Sequence, residues 1–382
     1  MATIQKPVVI AAYKRTPFTR AYKGELARVR PDEFVGQLIA SLVKETKIPT
    51  KDIEDLILGC AFPEAEQGFN MARLVCFLAD LDVRTAGMTL NRFCGSSMQA
   101  IHIAAGNIQM GAGDVFIAAG VESMSYVPMT GHNPLPHPDL HEKNPAAYMG
   151  MGETAENVAK KYSIDRAAQD AFGLQSQHRA IAAHKEGRFK DEISPVLFKG
   201  KTIDTDSCIR HDASIESLED LNPAFDKDGS VTAGTSSPLT DGASAVLVTT
   251  QDYAEKHSLD VLARIKSVAV TGCQPEIMGI GPIGASRKAL ERAGIGVDDL
   301  DVVELNEAFA AQALAVINEL GLDQNKVNID GGAIALGHPL GASGARITGK
   351  AAQLLKREKG KYALATMCIG GGQGIATVLE AV

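Results

Sequence analysis

Two stretches of the sequence, KDIEDLILGCAF at residues 51–62 and DDLDVVELNEAF at residues 298–309, align with one another without a gap. Each contains a short apolar segment, and about thirty residues further along each half a predicted helix begins in a stretch rich in small residues. Similarity at a fixed offset is the sequence signature of an internal duplication. The chain is therefore predicted to contain two similar α/β halves.

Short apolar runs alternate with segments of helical periodicity along much of the chain. Strands are predicted at residues 8–12, 56–59, 115–120, 245–249, 265–270, 302–305 and 362–367. A helix is predicted at 97–110, where apolar residues recur every three or four positions, at Met98, Ile101, Ala105 and Ile108. This alternation predicts an α/β fold with a mainly parallel sheet.

The middle of the chain differs from both halves. Five of the 16 prolines fall between residues 128 and 145, and helical stretches and polar loops follow. We interpret this region as an inserted loop domain that covers one face of the first half. The predicted organisation is an N-terminal half at 1–120 plus about 240–262, a loop domain at 121–239 and a C-terminal half at 263–382.

Composition excludes several functional classes. A net charge of −8 argues against nucleic acid as a partner. No apolar run approaches the roughly eighteen residues of a membrane helix, so no membrane insertion is expected. The six cysteines include no CxxC pair, and no targeting peptide is evident at the N-terminus. Reduced thiols and a cytoplasmic location are therefore predicted.

Cys94 is the first candidate for chemistry. In NRFCGSSM it lies just before the predicted helix, where the helix dipole and free backbone N–H groups favour a thiolate. A buried, inert cysteine is the alternative interpretation, and this segment alone does not decide between the two.

Two further segments place reactive side chains beside glycines. His338 lies in GGAIALGHPLGASGAR, where little side-chain bulk would hinder a substrate, although a helix cap is an alternative role. Cys368 ends a predicted strand and is followed by CIGGGQG, whose consecutive backbone donors, including Gly370, could hold an oxyanion. The alternative there is a tight turn with a half-buried cysteine.

Asn306 and Glu307 follow the predicted strand at 302–305, where cap or turn residues are the ordinary interpretation. Their position favours a functional role over this ordinary one, because Cys94, Asn306, His338 and Cys368 each follow a predicted strand or its loop. Ligands of α/β folds bind at the C-terminal ends of strands. A nucleophilic thiol, an imidazole base, a second thiol and an amide donor together predict covalent acyl transfer.

With these segments in view, the sequence resembles the thiolase family over nearly its whole length. NRFCGSSMQA, GVESMS, SVTAGTSSPLTDGA, NEAFAAQ, GGAIALGHPLGASGAR and CIGGGQG occur in the family's order. The resemblance implies a duplicated five-layer α-β-α-β-α core with an inserted loop domain, and dimers or dimers of dimers. It is closest to degradative 3-ketoacyl-CoA thiolases of fatty-acid β-oxidation.

The resemblance also implies catalytic roles. Cys94 would be the acylated nucleophile, and His338 its activating base and an oxyanion donor. Cys368 would exchange a proton with the acetyl-CoA carbon. Asn306 would position the water that completes the first oxyanion hole, and the backbone N–H groups of Cys94 and Gly370 would form the second.

Coenzyme A contacts are implied in the loop domain, at Arg210, Ser217 and Ser237, with Phe309 beside the pantetheine. An arginine suits a nucleotide phosphate or an adenine face, although a solvated surface is the ordinary role of such a stretch. Met151 would line the acyl pocket. No cofactor and no metal are expected, because coenzyme A is a substrate.

Position 150 bears on the choice of substrate. Short-chain biosynthetic thiolases carry a histidine before the Met-Gly pair, whereas this chain has Gly150. Thiolytic cleavage of 3-ketoacyl-CoA is therefore predicted, and condensation of two acetyl-CoA to acetoacetyl-CoA is the alternative. Enzymes of the degradative class can associate with a hydratase/dehydrogenase subunit, and no feature of the sequence decides whether this chain does.

Rival functions remain at this stage. GIGPIG at residues 279–284 matches the dinucleotide pattern GxGxxG, but it lies well beyond the predicted strand and contains a proline. His132, His137 and His141 lack the spacing of metal ligands. A non-catalytic acyl-CoA carrier would need neither thiol, and a decarboxylating condensing enzyme would not need Cys368.

Overall fold

The computed structural model describes residues 6–382, so the first five residues of the N-terminal stretch lie outside it. Its strands are β1 (Val8–Arg15), β2 (Thr19–Arg20), β3 (Asp55–Gly59), β4 (Ala86–Leu90), β5 (Val115–Ser123), β6 (Val196–Phe198), β7 (Lys201–Ile203), β8 (Thr240–Thr250), β9 (Ala263–Gly272), β10 (Val302–Leu305), β11 (Tyr362–Ile369) and β12 (Gln373–Glu380).

Its α-helices are α1 (Pro31–Thr46), α2 (Met71–Leu78), α3 (Ser96–Met110), α4 (Pro138–Lys143), α5 (Met151–Lys161), α6 (Arg166–Lys185), α7 (Ile215–Glu219), α8 (Gln251–Lys256), α9 (Gly281–Ala293), α10 (Ala310–Leu320), α11 (Ala333–Leu336) and α12 (Ser343–Arg357). Short 3-10 helices lie at Glu25–Arg28, Thr50–Asp52, Ala65–Gln67, Pro145–Tyr148, Pro275–Ile280, Val297–Asp299 and Leu340–Ala342. No helix within residues 6–382 combines the length and apolar character needed to cross a bilayer.

Each half of the chain builds the same order of strands. The N-terminal half has the order β4-β3-β5-β8-β1, and the C-terminal half has β10-β11-β12-β9, with Val327 bridging to Val303 of β10 where β4 would lie. The pairs β3–β5 and β10–β11 are parallel, and the two pairs that follow in each half are antiparallel. The predicted duplication is confirmed.

The prediction of a mainly parallel sheet is wrong. Within the described residues, parallel pairing in the large sheet is confined to β3–β4, β3–β5 and β10–β11. Residues 370–372 link β11 to β12 as a hairpin, and a connection this short forces antiparallel pairing. The sequence prediction did not include β4 or β12.

Helices form three layers around the two half-sheets. α3 and α12 lie in the middle, in one apolar core with residues of both sheets. α1 and α2 cover the outside of the first half, and α9 and α10 cover the outside of the second. Each amphipathic helix thereby buries its apolar face against a sheet. The five-layer α-β-α-β-α core is confirmed.

The inserted segment leaves the sheet after β5 and returns at β8. Its helices α5 and α6 pack against α10, and α6 also packs against α11. Its helices therefore cover the second half of the chain, while its strands β6 and β7 contribute Val196 and Ile203 to the outer apolar core of the first half. A buried ion pair also fastens the inserted segment to the first half, because Arg15 Nε lies 2.7 Å from Glu192 Oε1. The exact boundaries of the three parts remain predictions.

The glycines of GIGPIG serve close packing. β9 ends at Gly272, and the motif spans the end of a 3-10 helix and the start of α9. A Cβ on Gly281 would lie 2.1 Å from the carbonyl oxygen of Gln373, and one on Gly374 would lie 1.9 Å from the carbonyl of Gly281. The motif therefore lets α9 touch the backbone of β12 and does not form the strand–helix turn of a dinucleotide site.

Candidate active site

Cys94 lies in a constrained turn between β4 and α3. The preceding residue, Phe93, has φ +42°, a left-handed conformation that is costly for an aromatic residue. Ser96 stabilises the turn, since its hydroxyl accepts the N–H of Arg92 at 2.9 Å and donates to the carbonyl of Phe93 at 2.6 Å. The nucleophile candidate is therefore held by strained local structure rather than by an ordinary loop.

The resting Cys94 side chain is a thiol. Burial raises its pKa to about 11, while hydrogen bonds from the backbone N–H groups of Gly370 and of Cys94 itself act in the opposite direction. The backbone donors at the helix start favour the thiolate as expected, but desolvation outweighs them in the ligand-free chain. Attack by this sulfur therefore needs a base.

His338 is the candidate base, and its imidazole is buried between two polar side chains. The Nδ2 amide of Asn306 lies 3.3 Å from its Nε2, and the Oγ of Ser343 lies 2.5 Å from its Nδ1. Burial, together with the nearby charge of Arg346, lowers the pKa of His338 to about 3. The imidazole is therefore neutral at rest and keeps a lone pair on one ring nitrogen.

Cys368 stands near the end of β11 and is 1% exposed. Burial raises the pKa of its thiol, and the proximity of Cys94 raises it further. Its side chain shares an apolar cluster with residues of the loop domain and the second half, namely Met151, Ala155, Val231, Met278, Ala308 and Phe309. This second thiol is protonated and faces an apolar wall.

The starts of α3 and α12 bring the Cys94 and His338 segments together. Ser97 Oγ accepts the N–H of Ala345 at 2.8 Å, and the carbonyl of Gly341 packs where a side chain on Gly120 would stand. Asn306 joins the same site through its backbone N–H, which donates to Thr366 of β11 at 3.0 Å. The segments that carry all four predicted catalytic residues thus pack together, and all four side chains are buried.

Glu122 is a site residue that sequence reasoning missed, although GVESMS contains it. Its buried carboxylate accepts N–H groups from Ala61 at 2.8 Å and from Gly341 at 2.9 Å, and it also accepts Nε2 of Gln67. It thereby fixes the loop after His338 to the loop after β3. An acidic residue ending a fully buried strand is the signal that could have indicated it.

Glu307 has a supporting role. Its carboxylate accepts the hydroxyl of Ser176 at 2.7 Å, the amide of Asn328 at 2.7 Å and the backbone N–H of Ile334 at 3.2 Å. A Cβ on Gly332 would lie 2.0 Å from its Cδ, so only glycine fits there. Glu307 therefore shapes the glycine-rich segment that leads to His338.

Some of the predicted substrate-binding residues lie beside this centre, and the others lie further out in the loop domain. Ser237 donates its N–H and its hydroxyl to the carbonyl of Ala308, next to Phe309, at 3.0 and 3.2 Å. Met151 Sδ lies 3.5 Å from where a Cβ of Gly370 would stand. These contacts place Ser237, Phe309 and Met151 beside the catalytic groups.

Arg210 and Ser217 lie further out, around the turn that precedes Ser237. Arg210 Nη2 donates to the carbonyl of Ala233 at 3.1 Å. Ser217 is exposed on α7 and forms a capping box with Ser214, and α7 packs against Gly234 through Leu218. The structure thus brings both residues to one part of the loop domain and leaves their role in binding open.

A duplicated α/β fold with two thiols, an imidazole and an amide at one buried centre defines an acyl-transfer class of protein. The chain matches the family descriptions "Thiolase, N-terminal domain" over residues 8–252 and "Thiolase, C-terminal domain" over residues 259–381. It therefore belongs to the thiolase family.

Named relatives align over almost their full length. A "3-ketoacyl-CoA thiolase" of Bacillus subtilis is 46% identical over 98% of this chain and 99% of its own. An "Acetyl-CoA acetyltransferase" of Chromobacterium violaceum is 47% identical over 98% of this chain and 99% of its own. The crystal structure of human mitochondrial 3-ketoacyl-CoA thiolase in complex with CoA has a TM-score of 0.92 and 39% identity, and 99% of each chain is covered.

Proposed function

We propose that the protein catalyses thiolytic cleavage of 3-ketoacyl-CoA by CoA, giving acetyl-CoA and a shortened acyl-CoA through an acyl-enzyme on Cys94. One observation carries the proposal: the Cys94 sulfur meets the N–H of Gly370 and lies close enough to Cys368 to raise the pKa of that thiol. Carbon–carbon cleavage needs both a nucleophile and a proton donor, and two neighbouring thiols supply them.

In the first half-reaction His338 Nε2 takes the Cys94 proton as the sulfur attacks the 3-keto carbon. The protonated imidazole and a water positioned by Asn306 hold the oxyanion that forms there. Within residues 6–382 the buried Oδ1 of Asn306 has no hydrogen-bond partner, so it can accept from such a water. When the carbon–carbon bond breaks, Cys368 gives its proton to the acetyl-CoA carbanion.

In the second half-reaction the Cys368 thiolate takes the proton of incoming CoA, and the CoA sulfur attacks the acyl group on Cys94. The backbone N–H groups of Cys94 and Gly370 hold the second oxyanion. Cys94 then leaves as a thiolate and regains its proton from His338. Every proton is returned, so the proposed cycle uses CoA as a substrate and needs no metal or redox cofactor.

The apolar cluster around Cys368 supports binding of an acyl-CoA. Met151 and Phe309 present side chains beside the two thiols. We assign the pantetheine arm to the side of Phe309 and Ser237, and the nucleotide end to Arg210 and Ser217. Burial and the nearby charge of Arg20 both lower the pKa of Arg210, so an anion placed there would be favoured.

Gly150 supports the degradative assignment over the biosynthetic alternative. It is an exposed N-cap of α5, directly before Met151, and a Cβ there would meet only the carboxylate of Glu153, at 3.7 Å or more. The chain thus leaves open the space that a histidine side chain would fill beside the acyl pocket. Similar relatives include several named 3-ketoacyl-CoA thiolase and one, from Chromobacterium violaceum, named acetyl-CoA acetyltransferase.

A homodimer is the assembly that the surface supports. β4 lies at the end of the sheet order, and the adjoining α2 region exposes large apolar side chains at Phe69, Leu74, Phe77, Leu78 and Val83. An open strand edge beside an apolar patch is typical of a protein interface. A tetramer and a complex with a hydratase/dehydrogenase subunit remain predictions, as does the cytoplasmic location.

The deciding experiment is CoA-dependent thiolysis of 3-ketoacyl-CoAs from four to sixteen carbons, followed by the loss of enolate absorbance. Turnover of medium and long chains is expected. Activity confined to acetoacetyl-CoA would assign the chain to the biosynthetic alternative. A lack of thiolysis at every length, from protein that still binds CoA, would contradict the catalytic proposal.

A further inference from the structure

Ser343 contacts His338 on the side of the imidazole that faces away from Asn306. Its Oγ lies 2.5 Å from Nδ1 of the ring and 3.0 Å from the carbonyl oxygen of Pro339. Ser343 is 1% exposed and His338 is 4% exposed, so both groups are withdrawn from solvent. A contact this short between buried polar atoms must contain a proton.

The partners of the ring determine where that proton lies. Nδ2 of Asn306 can only donate, and it lies 3.3 Å from Nε2, which requires a lone pair there. The ring proton is therefore on Nδ1, which donates it to Oγ of Ser343. The hydroxyl proton of Ser343 then goes to the carbonyl of Pro339, which also accepts the backbone N–H groups of Ala342 and Ser343.

Ser343 does not cap α12, so helix capping does not account for its contact with His338. It is the first residue of α12, whose N-cap is Ala342, and no side-chain hydrogen bond caps this helix. A capping serine accepts backbone N–H groups of the first turn, whereas Ser343 donates backward to Pro339. Its hydroxyl is directed to the imidazole and to one carbonyl.

We propose that Ser343 is a positioning residue that holds His338 in the Nδ1–H tautomer and so keeps a lone pair on Nε2, the nitrogen proposed to take the proton of Cys94. A neutral hydroxyl orients the ring without the charge of a carboxylate, which would favour an imidazolium at rest. The base therefore stays neutral until Cys94 gives up its proton, and the Ser343–Pro339 dipoles then face the new cation. The kinetic part of this proposal rests on the proposed function.

The chain offers a matched control on the same helix. Thr348 is fully buried and donates its hydroxyl to the carbonyl of Gly344 at 2.7 Å, four residues back, as Ser343 does to Pro339. Loss of this hydroxyl in Thr348→Val removes an equivalent helix bond without touching His338. Ser343→Thr keeps a hydroxyl at the position of interest.

The direct test is ¹⁵N NMR of the full chain with labelled histidine, in wild type and in Ser343→Ala, Ser343→Thr and Thr348→Val. Wild type, Ser343→Thr and Thr348→Val are expected to show a protonated Nδ1 and an unprotonated Nε2 at His338. Ser343→Ala is expected to populate the other tautomer. Its kcat for thiolysis should fall on the order of 10- to 100-fold with little change in KM, and Ser343→Thr should restore it.

Several outcomes would overturn the proposal. These are an Nε2–H tautomer in wild type, a wild-type tautomer and kcat in Ser343→Ala, or an equal loss of kcat in Thr348→Val. Should Ser343→Ala fail to fold, the wild-type tautomer and the activity of Ser343→Thr still decide the question. The NMR result does not depend on turnover, so a tautomer shift in a chain without thiolysis would contradict the proposed function alone.

Discussion

The backbone N–H of Gly370 lies near the sulfur of Cys94 and lowers the pKa of that thiol, and this proximity joins the two halves of the molecule at the candidate nucleophile. Cys94 follows β4 of the first half, whereas Gly370 follows β11 of the second. The site is therefore buried where the halves meet, and this burial sets the protonation states of its thiols and imidazole.

The first prediction concerns the reactivity of Cys94 in the absence of substrate. Burial disfavours the charged form and raises its pKa to about 11, so the thiolate fraction at pH 7 is about 10⁻⁴. Alkylation of Cys94 by iodoacetamide should be slow at pH 7 and should still be rising at pH 10. Mass spectrometry of the Cys94 peptide measures this rate, and a plateau below pH 8 would show that the resting side chain is a thiolate.

Removal of each of the two thiols should block a different step of the reaction. Cys94→Ala should form no covalent acyl-enzyme from acyl-CoA, because the attacked sulfur is missing. Cys368→Ala should still be acylated but should lose carbon–carbon cleavage, because the carbanion has no proton donor. Intact-mass analysis and exchange of the acetyl-CoA α-protons separate the two. Exchange at the wild-type rate in Cys368→Ala would disprove its acid/base role.

Asn306→Ala should lose most, but not all, of the kcat for thiolysis. Asn306 is fully buried against His338, and an oxyanion-hole donor is worth on the order of 3–4 kcal/mol, or 10²- to 10³-fold in kcat. Since Asn306 is assigned to the first oxyanion hole, carbon–carbon cleavage should suffer more than acyl transfer from Cys94 to CoA. Equal losses in the two half-reactions, each measured by rapid quench, would contradict that assignment.

The candidate catalytic residues could be proposed from the sequence because thiols and an imidazole beside glycine-rich segments are chemically distinctive. Cys94 and Asn306 follow strands, whereas His338 follows α11 and Cys368 lies within β11. Their protonation states could not be proposed from the sequence, because the pKa of Cys94 depends on burial between two halves that are distant in sequence. Ser343 and Glu122 were missed for a related reason. A serine or glutamate is ordinary in sequence, and only the folded chain shows that its partners are His338 and Gly341.

The direction of the strands was predicted wrongly because the connections between them were not considered. Apolar runs predict that strands exist, but the connection between two strands fixes whether they run parallel. β12 follows β11 after only residues 370–372, and although a tight turn was an alternative interpretation of those glycines, no strand was predicted after it. β8 pairs antiparallel with β5, although the whole loop domain separates them in sequence.

Assembly through the β4 edge gives the next prediction. Phe69 is 93% exposed and has φ +57°, a conformation that aspartate tolerates better than an aromatic residue. Phe69→Asp should therefore leave the fold intact and shift the chain from dimer toward monomer, because it places a charge in the apolar patch. Sedimentation velocity measures this shift. Leu197→Asp, at a 62% exposed position on β6, is the control that should stay dimeric.

The close contact between the central helices α3 and α12 gives a prediction about stability, which a second variant in α3 can check. A Cβ on Gly344 of α12 would lie 2.3 Å from the backbone nitrogen of Met98 in α3, where neither helix can yield easily. Gly344→Ala should therefore cost about 1–3 kcal/mol of unfolding free energy. It should also lower kcat, because it separates the helices that begin beside Cys94 and His338.

The contrasting variant is Gly106→Ala, at an exposed site within α3 where a Cβ meets nothing within 4 Å. Alanine there restricts the unfolded chain and favours the helix, so stability should rise by about 0.5–1 kcal/mol with kcat unchanged. Urea midpoints should be compared at one protein concentration, because subunit association would otherwise add to the measured stability. Equal shifts in both variants would mean that helix propensity, rather than contact between α3 and α12, controls the response at Gly344.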